Sequence, residues 1–321
     1  MHWVVVGTGN ISKRHRENIK YLWPDAQVTA LIPHRKKTEK DQTLNHADYI
    51  NDNHEAVLEN KPDAVIIATP ASSHIEEAIF WLKHDIPVFI EKPLAISATQ
   101  AKDLQPFAAN SIITVGYVLR FLPIIKELKE IIQSKALGEI ISLEAHVGSY
   151  LPDWRPQKDY KESVSARAEL GGGVLLELSH EIDYVLWFLG KPKKIFSDIK
   201  NSGTLDIPVE DDVDLEIIFK DNIKANIHMD FLQNPPTRFC KVIFEKAFIK
   251  ADILTGTLQI NKNNGEENIY DLAPQNSNAP YLDQLKNFHD TLKGISTLSV
   301  TTEDGINVLS VIDTAKQTSN I

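Results

Sequence analysis

Two stretches of this sequence hold side chains able to move protons. In Ile90-Glu91-Lys92-Pro93, a lysine stands where an apolar run ends. At such a strand end it could donate to, or polarise, a substrate hydroxyl, with desolvation drawing its pKa toward the working range. A plain surface lysine in a strand-to-helix loop is the alternative reading. In the second stretch, Gly171-Gly172-Gly173 leads into a helix that runs to Gly190, ahead of Pro192. On a helical wheel of about 100° per residue, Leu178, Ile182, Val185, Leu186 and Leu189 form one apolar face. Glu177, His180, Glu181 and Tyr184 gather on another arc, with Asp183 at its flank. That set suits general acid–base work: His180 titrates in the right range, and Glu177 or Asp183 could orient it and support its charged form. A solvated helix face is the competing reading. Carboxylates around a histidine also suit a metal, but no further ligands cluster here and Cys240 is the single cysteine, so no metal is expected.

A third stretch, Gly7-Thr8-Gly9-Asn10-Ile11-Ser12, follows the opening apolar run and begins a helical pattern. Gly7 permits a tight turn, Gly9 lets the backbone approach a pyrophosphate, and amides at the helix N-terminus receive the negative charge. Ser12 replaces the third glycine of the dinucleotide fingerprint and is small enough for close helix–strand packing. Similar strings occur in methyltransferases and in ordinary turns; the place of this one in a strand–helix alternation favours dinucleotide binding. The second strand ends Leu31-Ile32-Pro33-His34-Arg35-Lys36-Lys37, with no carboxylate to hold the ribose 2′-hydroxyl of NAD. Cations follow instead, and His34 and Arg35 suit a 2′-phosphate, so NADP(H) is favoured over NAD(H). A solvated basic loop is the alternative.

The elements that must position these groups fall into two patterns. Trp3–Gly7, Val28–Ile32, Ala64–Thr69, Val88–Glu91 and Ile112–Tyr117 are short, β-branched and nearly uniformly apolar, as parallel strands buried on both faces are. Helical stretches separate them, such as Ser72–His84 with Ile75, Ala78, Ile79 and Leu82 on one stripe. After a helix at Leu122–Ser134, strands dominate: Ile140–Val147, Lys194–Ile199, Val213–Phe219, Ala225–Phe231, Arg238–Glu245 and Thr257–Ile260. Several alternate apolar and polar residues, which marks an antiparallel sheet with one wetter face. Helices at about 281–292 and 303–318 follow. The expected fold is α/β: an N-terminal Rossmann doubly wound parallel sheet over residues 1–118, then a C-terminal α+β domain with a large, mostly antiparallel open sheet over 119–321. The last helix is expected to pack back on the first domain.

Together, the Gly7 loop, Thr69-Pro70…His74 and Glu91-Lys92-Pro93 resemble the Gfo/Idh/MocA oxidoreductase family. Gly116-Tyr117-Val118-Leu119-Arg120-Phe121-Leu122-Pro123, Gly138-Glu139-Ile140 and Glu303-Asp304-Gly305 extend the likeness along the whole chain. The resemblance implies a Lys92 close to the nicotinamide and the reacting carbon. It implies a coenzyme-binding set of Gly7, Thr8, Gly9, Asn10, Ile11, His34, Arg35, Thr69, Pro70, His74, Glu91, Lys92 and Pro93. It also implies a catalytic group of Lys92, His180, Glu177 and Asp183, with Arg120 and Tyr184 on the substrate side. Members carry Gly-Gly…Asp…His…Asp along the histidine helix. Here Glu177 replaces the first Asp and His180 follows it by three residues rather than the usual four, while Val118 stands where Asn is frequent.

Ser149–Tyr160 is dense in aromatic, charged and proline residues. Tyr and Trp faces suit a sugar ring, and an arginine can hold a carboxylate or phosphate bidentately. Trp154, Arg155 and Tyr160 are therefore expected to recognise a polyol, an ordinary covering loop being the alternative. The run through Ser163-Val164-Ser165-Ala166 is similar to the branch of the family linked to surface-polysaccharide or nonulosonic-acid sugars. Lys and Arg total 34 against 44 Asp and Glu, a net charge of -10 without a basic stripe, which argues against nucleic acid. No run is long and apolar enough to span a bilayer, and the N-terminus lacks a signal-peptide pattern, so the cytoplasm is expected. The reading is an NAD(P)-dependent oxidoreductase moving a hydride between nicotinamide and a sugar, nucleotide sugar or cyclitol, as a homodimer or homotetramer by family likeness. An NAD-dependent glycosidase of the same fold and a dinucleotide-sensing regulator are its rivals.

Overall fold

β1 (His2–Val6) is flanked by strands on both sides, and Trp3 to Val6 are wholly removed from solvent, which is why its sequence is so uniformly apolar. In the computed structural model, residues 1–33 and 44–319 are described; His34, Arg35, Lys36 and Lys37 lie outside the described residues. After β1 come α1 (Asn10–Leu22), β2 (Gln27–Leu31), β3 (Tyr49–Asn51), α2 (His54–Leu58), β4 (Ala64–Ile67), α3 (His74–Leu82) and β5 (Val88–Ile90). Two short helices, α4 (Ala98–Ala101) and α5 (Gln105–Ala108), precede β6 (Ile113–Val115). The six strands pair in parallel in the order β3-β2-β1-β4-β5-β6. The direction of strand succession reverses between β1 and β4, and in such a sheet the crevice beyond the carboxyl ends at that point is where ligands bind. β3 was not anticipated: three residues of mixed polarity carry no readable period.

The second sheet is built from β7 (Ile140–Gly148), β8 (Lys194–Lys200), β9 (Asp212–Ile218), β10 (Lys224–Asp230), β11 (Thr237–Phe244), β12 (Ala247–Asp252), β13 (Thr257–Lys262) and β14 (Glu267–Asp271). Its order is β14-β13-β12-β11-β7-β10-β9-β8, antiparallel apart from the β7–β10 pair. In β9, Val213, Leu215 and Ile217 are buried while Asp212, Asp214 and Glu216 are wetter, the alternation expected of one covered face. β12 and β14 were not foreseen. Only Glu245-Lys246 separates β11 from β12, and β14 is too polar and exposed to show a strand pattern.

Helices that go with this sheet include α6 (Pro123–Ser134), α7 (Val174–Glu177) and α8 (His180–Leu189). The single helix expected from the three glycines to Gly190 is a correction: it breaks at Leu178-Ser179. The Ser179 hydroxyl donates to the Leu176 carbonyl at 2.9 Å, one of the local bonds by which serine competes with helix propagation. A single wheel therefore misplaces Glu177 relative to His180. α8 packs against β7, β10, α6 and the turn at Val118–Phe121. Its polar residues Glu181, Asp183 and Tyr184 are consequently buried rather than solvated.

The chain divides into two units: Met1–Gly116 with Tyr281–Ile306, and Tyr117–Pro280 with Asn307–Ile321. Most of α9 (Ala279–Leu292) thus belongs with the first unit, whereas the sequence reading had placed it in the second domain. Its Leu285 and Phe288 join Trp3, Val5, Ile19, Val28, Ile66 and Phe89 in one apolar core. Trp3 stacks on Trp23 with centroids 5.5 Å apart and meets Phe288 at 6.0 Å. The division falls inside α10 (Thr302–Thr318): Gly305 faces Leu94 and Val115, while the Ala315 carbonyl accepts from Ser197 at 2.6 Å. No helix among the described residues is long and apolar enough to cross a membrane.

Candidate active site

At the carboxyl end of β1, Gly7 adopts φ +112, and a Cβ there would lie 2.5 Å from the Ala68 carbonyl oxygen, so only glycine fits. Ser12 is wholly buried and its hydroxyl donates to the same carbonyl at 3.2 Å, so a serine fills the third fingerprint position without opening the packing. Gly9 caps α1 with no side chain, a Cβ on it would meet nothing within 4 Å, and the first turn has no acidic residue. Thr8, Gly9 and Asn10 are exposed and Ile11 is half-buried. Open, unblocked amides at the positive end of a helix fit a diphosphate.

Along the same sheet edge, Lys92 is half-buried just past β5, in a loop braced by several neighbours. Glu91 is buried; its Oε1 is 2.7 Å from His15 Nε2 and its Oε2 accepts the Lys92 N–H at 3.2 Å. Gly116 closes against them: a Cβ there would lie 2.8 Å from Glu91 Oε2 and 3.0 Å from Lys92 N. His74, expected to touch coenzyme, is buried with both ring nitrogens 2.9 Å from backbone carbonyls, Nδ1 from Pro93 and Nε2 from Thr69. Burial pulls its pKa down, against those two carbonyls. Its ring ties the Thr69-Pro70 loop to the lysine loop, leaving no nitrogen to face a ligand. Ser73 adds a bond to Thr69 Oγ1 at 3.0 Å and one to the Pro70 carbonyl at 2.9 Å.

In the second unit, His180 opens α8, half-buried, with the Tyr117 ring edge-on at 5.6 Å. Tyr117, of the Gly116–Pro123 motif, is wholly buried, and nothing in the sequence signals its contact with His180. Arg120 and Asp183, read as substrate and catalytic groups, are both buried and bound to each other. Glu181 is likewise held by Arg238, at 2.7 and 2.8 Å. Tyr184 is a correction. It is wholly buried beside Phe188, and burial drives its phenol well above the usual range, so it faces the helix packing rather than a ligand surface. Polar residues on one helix face do not disclose such partners.

The loop residues do come together. Trp154, Arg155, Lys158, Tyr160, Glu162 and Ser165 are among those lining a cavity of about 510 Å³. Trp154 is fixed by its Nε1 on Ser149 Oγ at 2.9 Å and by the edge of Phe231. Tyr160 gives its hydroxyl proton to the Leu205 carbonyl at 2.9 Å, so its ring rather than its hydroxyl serves the cavity. Ser165 Oγ donates to Glu177 Oε2 at 3.1 Å, which ties that carboxylate to a residue of the cavity lining.

Asp212, Asp214 and His228 place possible metal-ligand atoms within 4.8 Å of one another. His228, however, has Nε2 3.1 Å from Asp230 and Nδ1 2.9 Å from Asp214, and these bonds push its pKa up to about 9 against partial burial. The imidazole thus stands between the Asp214 and Asp230 carboxylates, which gives the cluster the form of an ion-pair clasp.

A six-stranded parallel sheet with a glycine turn open at the N-terminus of α1 is the architecture of NAD-binding Rossmann oxidoreductases. Residues 1–117 match the family described as "Oxidoreductase family, NAD-binding Rossmann fold", and residues 125–250 match the GFO/IDH/MocA C-terminal domain. The chain belongs to the Gfo/Idh/MocA oxidoreductase family. It is 23% identical over 299 residues to Oxidoreductase P35 of Formosa agariphila, covering 88% of this chain and 89% of that one. It is 25% identical over 189 residues to an inositol 2-dehydrogenase of Rubrobacter xylanophilus, a match over 58% of this chain and about half (51%) of the relative. Levoglucosan dehydrogenase in complex with NADH and L-sorbose shares the fold at a TM-score of 0.85 and 16% identity, over 99% of this chain and 97% of that one.

Proposed function

We propose that the protein is a dehydrogenase or reductase that moves a hydride between a nicotinamide coenzyme and a CH–OH carbon of a sugar, nucleotide sugar or cyclitol. The observation that carries this reading is the braced Lys92 at the carboxyl end of β5, on the sheet whose β1 ends in an open diphosphate turn. Relatives named for inositol and levoglucosan support the substrate class. When bound, the coenzyme supplies the hydride acceptor or donor. Gly7 and Gly9 let the backbone close on its diphosphate, and the α1 amides bind it. Lys92 stabilises the developing alkoxide, an electrostatic role that strengthens where water is excluded. His180 takes or returns the hydroxyl proton, with Glu177 and Asp183 in support. Trp154 and Tyr160 present ring faces to the sugar, and Arg155 meets a carboxylate or phosphate on it. The basic run at 34–37 favours NADP(H), and a homodimer or homotetramer in the cytoplasm completes the reading.

The test is a fluorescence titration of purified protein with NADPH and NADH, followed by turnover across a panel of sugars, nucleotide sugars and cyclitols. Tighter binding of NADPH and oxidation of at least one polyol are expected. Protein that ignores both reduced coenzymes at millimolar concentration refutes the reading.

A further inference from the structure

A histidine joins the diphosphate-binding helix to the lysine loop. His15 lies on α1, its ring 1% exposed and edge-on to Phe89 at 5.1 Å, with Nε2 2.7 Å from Glu91 Oε1. Its Nδ1 is buried and meets no partner among the described residues. A phenylalanine would occupy this space against Phe89 without stranding a nitrogen, so packing alone does not favour imidazole here. What the imidazole adds is the bond to Glu91. The other oxygen of that carboxylate receives the Lys92 amide, and a Cβ on Gly116 would lie 2.8 Å from the same oxygen, so only a residue without a side chain leaves it room. Glu91 is thereby held between α1 and the backbone that carries Lys92.

We infer that His15 is a positioning residue for Lys92: it passes the setting of α1, whose first turn meets the coenzyme diphosphate, through Glu91 to the lysine backbone. The kinetic consequence rests on the dehydrogenase reading; the structural link does not. Two hydrogen bonds carry the link, a buried one from His15 to Glu91 and a partly buried one from the Lys92 amide to the same carboxylate, and bonds screened from water hold direction best. Neither group touches the reacting atoms, so their effect is on where the amine stands.

The experiment uses His15→Phe, His15→Gln and Glu91→Gln in the full chain. Its first readout needs neither coenzyme nor substrate: amide hydrogen exchange at Lys92 and Leu94. His15→Phe is expected to speed exchange there about tenfold or more while leaving Tm within a few degrees. His15→Gln, whose side-chain amide reaches the place of Nε2, restores protection, and Glu91→Gln, which weakens a charge-assisted bond, gives an intermediate rate. In turnover with saturating coenzyme, His15→Phe lowers kcat about tenfold to a hundredfold, as outer supports of a reacting group do, with coenzyme Kd within about threefold of wild type. Unchanged exchange at Lys92 and Leu94 in folded His15→Phe overturns the inference. So does a rise in coenzyme Kd with kcat intact, which would make His15 a direct coenzyme contact. Should His15→Phe not fold, wild-type exchange in Glu91→Gln overturns it equally. Absence of turnover in the wild-type protein would strike the proposed function alone, and the exchange rates would still decide the link.

Discussion

Arg120 and Asp183 meet through two hydrogen bonds, Nε to Oδ2 at 2.9 Å and Nη2 to Oδ1 at 2.7 Å, with 3% and 0% of their side chains exposed. The pair ties the turn that follows Tyr117 to the helix that begins with His180. Removing one partner strands the other charge in a dry place, which costs about 3–5 kcal/mol. Arg120→Ala is therefore expected to lose that much unfolding free energy in urea titration. A variant with wild-type stability but altered KM would return Arg120 to substrate contact.

Gly7 and Gly9 should respond differently to the same substitution. Gly7→Ala forces a side chain into positive φ and against the Ala68 carbonyl, so it should destabilise the fold by about 1–3 kcal/mol, visible as a lower Tm. Gly9→Ala meets no protein atom, so Tm should hold while coenzyme affinity falls. Equal effects of the two on Tm would contradict the assignment of Gly9 to the diphosphate.

Lys92→Ala and His180→Ala are each expected to lower kcat about a hundredfold or more with circular dichroism and Tm preserved. Wild-type turnover in both variants would remove the proposed mechanism.

His228 sets a pH dependence. Its pKa is raised from 6.5 to about 9 by the Asp230 and Asp214 bonds, so its stabilisation is complete below about pH 6.5 and fades as pH rises through 9. The whole shift corresponds to about 3 kcal/mol, and solvent screening at a half-buried ring leaves about 1 kcal/mol. Between pH 6 and pH 10 the wild type should lose that much more stability in urea than His228→Gln. Parallel curves for the two proteins would show that the clasp is not ionic.

The sequence disclosed what depends on near neighbours along the chain. β1, β4 and β5 were readable because burial on both faces makes them apolar throughout, and the Gly7 turn because its residues are contiguous. What escaped depends on distant partners. Asp183 and Glu181 looked like a wet helix face because Arg120 and Arg238 stand 63 and 57 residues away. His15 looked like an unremarked helix residue because Glu91 lies 76 residues on. The break before His180 was hidden because both flanking segments read as helix, and the turn at Leu178, with the bond from Ser179 back to Leu176, carries no sequence period.

The aromatic cluster around Trp3 has a consequence for synthesis on the ribosome. The strand that carries Trp3 leaves the ribosome long before Leu285 and Phe288, which complete the layer around it. The nascent N-terminal sheet must wait, with part of its apolar surface uncovered, for its last layer. A gene fragment ending near residue 118 would express a body that never receives it.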